Sequence, residues 1–179
     1  MCVSAERAQS ESFEELAMPL FDQLYNFAHW LAQDRDQAED LVQETYAKAL
    51  RGFASFQPGT NFRAWMYRIL RNTFFTSRTG RKITVPLDTD ENSPEMVKAA
   101  DNTTPETILI ERSNQELVRH ALDELPLHFR EILLLCEVEE MSYQEIADTL
   151  SVPIGTVMSR LSRARAALRD IVRRKLQRT

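Results

Sequence analysis

Ser142-Tyr143-Gln144-Glu145-Ile146-Ala147-Asp148-Thr149-Leu150-Ser151-Val152-Pro153-Ile154-Gly155-Thr156-Val157-Met158-Ser159-Arg160-Leu161 is the stretch that decides the fold. Ser142 and Glu145 stand three apart before Ile146, Ala147 and Leu150, the capping-box signature of a helix start. A short turn, Ser151-Val152-Pro153, follows, and a second helix is expected from Ile154 to about Lys175. Two helices joined by so short a turn, the second strongly basic, describe a helix-turn-helix. Leu150, Val152, Ile154, Val157 and Leu161 are expected to pack the pair together. The remaining face carries Thr156, Met158, Ser159, Arg160, Ser162, Arg163 and Arg165. A major groove admits one helix, and side chains near its N-terminal half read the base edges. Arginine suits guanine edges and phosphates because its planar fork donates two parallel bonds. Ser and Thr hydroxyls suit phosphate oxygens. The plain alternative is a solvated basic face on an ordinary helix.

Outward from this stretch, charge is distributed unevenly. The chain of 179 residues has a net charge of −5, which would argue against nucleic acid if the charge were spread evenly. Residues 34–44 carry Asp34, Asp36, Glu39, Asp40 and Glu44 against Arg35 alone. Residues 45–87 hold eight Lys or Arg and no acid. Residues 88–101 turn acidic, and residues 160–179 hold seven Arg and one Lys against Asp170 alone. Two basic blocks are thus separated by an acidic spacer. The spacer lacks periodicity and is rich in turn formers, so residues 83–104 are expected to be a flexible linker. The domains on either side are then 12–82 and 105–179, a length that allows two small units with modest cores.

Every other segment reads as helix, and the fold class is all-α. Leu16, Leu20, Leu24, Phe27 and Leu31 recur at three- and four-residue steps. The next helix is expected to start at Asp36 as N-cap, with Glu39 completing a capping box and Gly52 as the stop. It presents Ala38, Leu41, Val42, Thr45, Tyr46, Ala49 and Leu50 on one face. After the loop 56–61, a helix runs from about Phe62 to Ser77. Thr104-Pro105-Glu106 opens another helix, to about Glu124, and Pro126 opens the next, ending near Glu139. Residues 53–75 interleave Phe53, Phe56, Phe62, Trp65, Tyr67, Phe74 and Phe75 with Arg63, Arg68 and Arg71. Aromatic faces can stack unpaired bases while arginines neutralise the backbone. For Phe53, Phe62 and Trp65 the spacing fits a buried stripe better. The loop 56–61 and Asn72 fit capture of a base pulled from the stack. Asp40, Gln43 and Glu44 face outward on the acidic helix, which DNA would repel; a basic protein partner or simply solvent suits them.

Several classes drop out. Ile132 to Cys136 is the longest apolar run, far short of the ~20 residues of a spanning helix. The first six residues show no signal pattern, so membrane insertion is not expected and a cytoplasmic location is. Cys2 and Cys136, with His29, His120 and His128, make no ligand set, so no metal or other cofactor is expected and both thiols are expected to stay free. No glycine-rich phosphate loop, nucleophile–base pair or paired carboxylates stand out, so the chain is not expected to be an enzyme.

Together these residues resemble the sigma-70 superfamily, in its short extracytoplasmic-function group. Ala38 to Tyr46 is similar to region 2.2, Phe62 to Thr73 to regions 2.3 and 2.4, and Ser142 to Ala147 with Val152 to Leu161 to region 4.2. The resemblance covers nearly the whole chain, and the spacer stands where longer relatives have region 3. It implies a sigma factor: a non-enzymatic subunit that binds RNA polymerase core and directs promoter recognition, DNA melting and initiation. Asp40, Leu41, Gln43 and Glu44 would then grip the core enzyme. Phe56, Gln57, Gly59, Thr60, Asn61 and Asn72 would capture a flipped base of the minus-10 element, with Arg63, Arg68 and Arg71 on nearby backbone. Met158, Ser159, Ser162 and Arg163 would read the minus-35 element, with Thr156, Arg160 and Arg165 toward phosphate. Many relatives carry Lys or Arg at Met158 and a bulky residue at Ser162, so the resemblance leaves the minus-35 preference open. Residues 56–65 also resemble the branch paired with redox-sensing zinc anti-sigma factors, which implies control by such a partner in a stress response. A helix-turn-helix regulator with an N-terminal sensing domain is the alternative; it leaves the acidic helix and block 53–75 without a job.

Overall fold

The computed structural model describes residues 12–79 and 116–177. The expected linker 83–104 and the cap at Thr104-Pro105-Glu106 lie outside the described residues. Every regular element among the described residues is helical. The chain divides into two compact units, Met1–Thr84 and Val85–Thr179.

The first unit opens with a capping box that the sequence reading missed. Ser12 Oγ accepts from the Glu15 amide at 3.3 Å, and Glu15 Oε2 accepts from the Ser12 amide at 2.8 Å. Helix α1 (Phe13–Ala17) follows. The apolar stripe from Leu16 to Leu31 is not one helix, because Pro19 has no amide to donate. A 3₁₀ turn, Met18–Leu20, separates α1 from α2 (Phe21–Ala32). Gln33 then takes a left-handed conformation, φ 57°, and closes α2 through its amide on the His29 carbonyl.

Helix α3 spans Arg35–Gly52, two residues earlier at its start than expected. The N-cap is Asp34, whose side chain accepts from the Gln37 amide at 2.8 Å. Asp36 lies inside the first turn, and Glu39 pairs with Arg35 at 3.0 Å instead of completing a box. A two-residue connection, Gln33-Asp34, leaves no room for a later cap. Gly52 is not the stop either. It keeps right-handed angles, φ −89° and ψ −6°, and the helix tightens through it into a 3₁₀ turn, Phe53–Ser55. Its bare Cα faces the Trp65 indole, where a Cβ would sit 3.7 Å from Cζ2. Leu50, expected on the inner face, is exposed.

Helix α4 (Phe62–Thr79) packs on α3 and α2. Leu24, Phe27, Leu31, Met66, Tyr67 and Leu70 are buried side chains of this three-helix core. Each such side chain contributes about 2 kcal/mol.

The second unit contains α5 (helical over 116–124), α6 (Leu127–Leu133), α7 (Tyr143–Leu150) and α8 (Ile154–Leu176). Between α6 and α7 the backbone widens into a π-type turn over Leu134–Val138, with the Glu139 amide donating to the Leu134 carbonyl at 2.9 Å. Glu140 then takes φ 51° and reverses the chain. Ile132, Leu134, Leu135, Ile146, Val157 and Leu161 fill the core. Arg130, 6% exposed, joins α5 to α6. Its Nε donates to the Leu122 carbonyl at 2.8 Å, and its Nη2 to those of Asp123 at 2.6 Å and Leu125 at 3.3 Å. Leu122 and Asp123 belong to the last turn of α5, where a helix end leaves carbonyls short of intrahelical partners, and the Leu122 carbonyl also accepts from the Leu125 amide at 3.1 Å.

Candidate nucleic-acid interface

The helix-turn-helix forms as its sequence dictates. Ser142 Oγ accepts from the Glu145 amide at 3.2 Å, and Glu145 Oε2 accepts from the Ser142 amide at 2.8 Å. Ser151 ends α7 in a left-handed conformation, φ 55°, and Pro153 N-caps α8 with extended angles. Val157, Leu161 and Ala164 turn inward against α6 and α7. Ile154, expected to pack with them, is 40% exposed because it sits at the first position of α8, beyond the crossing.

The outer face of α8 keeps Met158 open, with Thr156, Ser159, Ser162 and Arg163 half-buried along it. Arg160 is a departure. It is 5% exposed and lies on the inner side, 300° from Val157 on the helical wheel and one position before Leu161. Arg165 is exposed but engaged. Its Nη2 at 2.6 Å and its Nε at 3.1 Å both donate to Glu137 Oε1, a single oxygen offered from the π-type turn. Nη2 also lies 3.7 Å from Cys136 Sγ. The Glu137 hydrogen bond raises the Arg165 pKa further. Burial first, and then Glu137, push the Cys136 thiol up, which lowers its thiolate fraction at neutral pH.

In the first unit, α3 displays Asp40, Gln43 and Glu44 outward at helical spacing, on one face. Leu41, grouped with them on sequence, is 6% exposed and belongs to the core side. Glu44 carries an ion pair with Lys48 at 2.7 Å, and Lys48 reaches on to Thr73 of α4 at 3.3 Å. A groove beside this face, lined by Gln37, Asp40, Leu41, Glu44, Phe74 and Arg78, encloses about 370 Å³.

The loop before α4 is a compact turn. Gly59 takes φ 86°, a left-handed angle that favours glycine. Thr60 Oγ1 donates to the Gln57 carbonyl at 2.7 Å, and Asn61 Oδ1 accepts from the Ala64 amide at 3.0 Å, capping α4. Gln57, Gly59, Thr60 and Asn61 are exposed together at the tip. Phe56 does not join them. Its ring packs 5.2 Å from both Phe62 and Trp65, inside a half-buried cluster that also holds Phe53 and Phe13. Asn72 is exposed on α4, about three turns beyond Asn61. Arg68 is half-buried beside it, while Arg71 is 8% exposed with its guanidinium 4.8 Å over the Phe75 ring. Arg63 lies 5.6 Å over the Tyr67 ring. The burial of Arg71 and Arg160 was beyond reach of charge pattern alone, since a long stem can bury while its head finds a partner.

Among the described residues, no cluster of His, Cys, Asp and Glu is placed to hold a metal ion. No described helix is long and apolar enough to cross a membrane.

A helix-turn-helix on one unit, with an acidic helix face and an aromatic-backed basic helix on the other, defines a two-part DNA-binding transcription protein. Comparison with known proteins makes this specific. Residues 16–82 match the family described as Sigma-70 region 2, and residues 115–168 match Sigma-70, region 4. The chain is 37% identical over 169 residues to the ECF RNA polymerase sigma factor SigE of Mycolicibacterium smegmatis, covering 93% of this chain and 64% of that protein. It is 35% identical to EcfG, the ECF RNA polymerase sigma factor of Rhodopseudomonas palustris, covering 89% of this chain and 84% of that protein. In three dimensions it is similar to the sigma factor RpoE of Bartonella quintana, solved in complex with the anti-sigma factor NepR. The TM-score is 0.66 at 30% identity, over 90% of this chain and 96% of that one. The chain belongs to the sigma-70 family, in its extracytoplasmic-function group of alternative sigma factors.

Proposed function

We propose that this chain binds RNA polymerase core through α3 and touches one promoter at two places, acting without any catalytic step of its own. The observation that carries the reading is the pairing of two separate units. One bears an open helix-turn-helix, and the other bears an acidic face and an exposed loop beside a basic helix. Asp40, Gln43 and Glu44 form the core-binding face, with Leu41 supporting them from beneath. Gln57, Gly59, Thr60, Asn61 and Asn72 hold a flipped minus-10 base, with Phe56 and the rings behind it as a rigid wall. Arg63, Arg68 and Arg71 supply positive charge near the strand, Arg71 from a largely buried position. Thr156, Met158, Ser159, Ser162, Arg163 and Arg165 face the minus-35 element, and Arg160 holds α8 in place from inside. Melting follows from stabilising unstacked bases, at a cost of a few kcal/mol per base. Two weak contacts on one tether give a high effective concentration, so neither unit needs to bind tightly alone.

An anti-sigma factor controls the chain in this reading, as the Bartonella relative was solved with one. A zinc-containing, redox-sensing version of that partner rests on residues 56–65 alone. The chain works in the cytoplasm, where the polymerase and the chromosome are.

Run-off transcription with purified core polymerase and a promoter library tests the proposal. Core plus this chain should initiate from a defined subset of promoters that core alone ignores. If the chain forms no holoenzyme, the proposal fails.

A further inference from the structure

The outer face of α8 begins with two apolar side chains. Ile154 is 40% exposed and Met158 is 54% exposed. They stand four residues apart and so lie one above the other on the same edge of the helix. Beside them Gly155, Ser159 and Ser162 keep the surface low, and a Cβ built on Gly155 would meet nothing within 4 Å. Further along the same helix come Arg163, Arg165 and Arg169.

Apolar side chains are unexpected where base edges are to be read. Neither Ile154 nor Met158 can exchange a strong hydrogen bond with a polar base edge. The major groove offers one apolar group, the C5 methyl of thymine. Exposed apolar surface at this end is unfavourable in water, and covering it with a methyl recovers part of that cost. The thioether of Met158 is unbranched and adapts its shape to a groove floor. The small residues alongside let the backbone of α8 approach that floor closely.

We infer that Ile154 and Met158 form a thymine-methyl contact, selecting T·A pairs within the minus-35 element by shape and apolar burial. The inference rests on the proposal that α8 reads this element. Arg163 and the serines read polar base edges in this reading and Arg169 lies toward phosphate, while the apolar pair adds discrimination for T·A pairs.

The test uses holoenzyme and a promoter duplex selected by it from a library randomised at minus-35. Each thymine of that element is replaced in turn by deoxyuridine, which deletes the methyl and keeps pairing and hydrogen bonding. Wild-type holoenzyme should bind about three- to fivefold more weakly at one or two positions, the worth of one buried methyl. Met158→Ala or Ile154→Ala should abolish that difference, and both positions are exposed enough for the variants to fold. Equal deoxyuridine and thymine binding at every position, while base-pair changes still matter, overturns the inference alone. A deoxyuridine effect that survives in both variants also overturns it. Indifference to every base-pair change at minus-35 overturns the proposed reading of α8 and the inference with it.

Discussion

Arg130→Met should unfold the second unit selectively. The wild-type guanidinium donates to three carbonyls, those of Leu122, Asp123 and Leu125, at 2.8, 2.6 and 3.3 Å. Methionine keeps most of the apolar stem and removes every donor. A hydrogen bond from a charged group is worth roughly 1.5–3 kcal/mol, and three sharing one group do not add fully. Stripping them also leaves the buried Leu125 carbonyl without that partner, while the Leu122 carbonyl keeps the Leu125 amide, so the loss is about 3–5 kcal/mol. A unit with about 60 ordered residues has only about 3–9 kcal/mol to lose. The melting temperature of that unit should fall by more than ~10 °C, or the unit should not fold. Both tryptophans, Trp30 and Trp65, lie in the first unit. Tryptophan fluorescence therefore follows the first unit, while far-ultraviolet circular dichroism follows the helices of both. In the variant the fluorescence transition should stay in place while part of the dichroism signal moves to lower temperature. Coincident wild-type and variant curves by both probes would refute the assignment of Arg130 as the clamp on the end of α5. Equal shifts in both probes would show that the units unfold together.

Tyr46 donates its hydroxyl to the Ala17 carbonyl at 2.6 Å, and burial, then Asp22, pushes its pKa up to about 12 from 10.0. Its folded pKa is the higher one, so its contribution is full below pH 10 and is lost as pH rises through about 12. Tyr46→Phe should cost about 1 kcal/mol at neutral pH and flatten the stability-against-pH curve between these values, read by urea unfolding. Glu137→Gln should free Arg165 for phosphate, tightening holoenzyme binding to promoter duplex about two- to fivefold and steepening its salt dependence by about one unit. Unchanged affinity in a titration would mean that Glu137 does not compete with DNA. Asn72→Ala should lower run-off transcription without loss of core binding, whereas Gln43→Ala with Glu44→Ala should weaken core binding itself. Equal loss of core affinity in both variants would make Asn72 structural.

The elements of the helix-turn-helix were legible because their signals are local: a capping box, a short turn and a 3.6-residue period within twenty residues; the exposure of Ile154 and the burial of Arg160 were not. The acidic face of α3 was legible for the same reason. What escaped depends on contacts distant in sequence or on exact turn length. Asp34 caps α3 because α2 ends at Ala32 and Gln33 alone separates it from that cap, a boundary that periodicity does not resolve. Arg165 is held by Glu137, 28 residues away. Arg71 and Arg160 have the composition of a nucleic-acid face and the burial of a core. Phe56 sits in an aromatic cluster assembled from α1, the 3₁₀ turn and α4, which no single window contains.

Permanganate and hydroxyl-radical probing of one promoter, with holoenzyme built on this chain, tests the two-contact account most directly. The account predicts two separate protected patches, upstream and downstream, with permanganate-reactive thymines appearing only in the downstream one. A single upstream patch with fully paired DNA below it would contradict the account and leave only a duplex-binding helix-turn-helix.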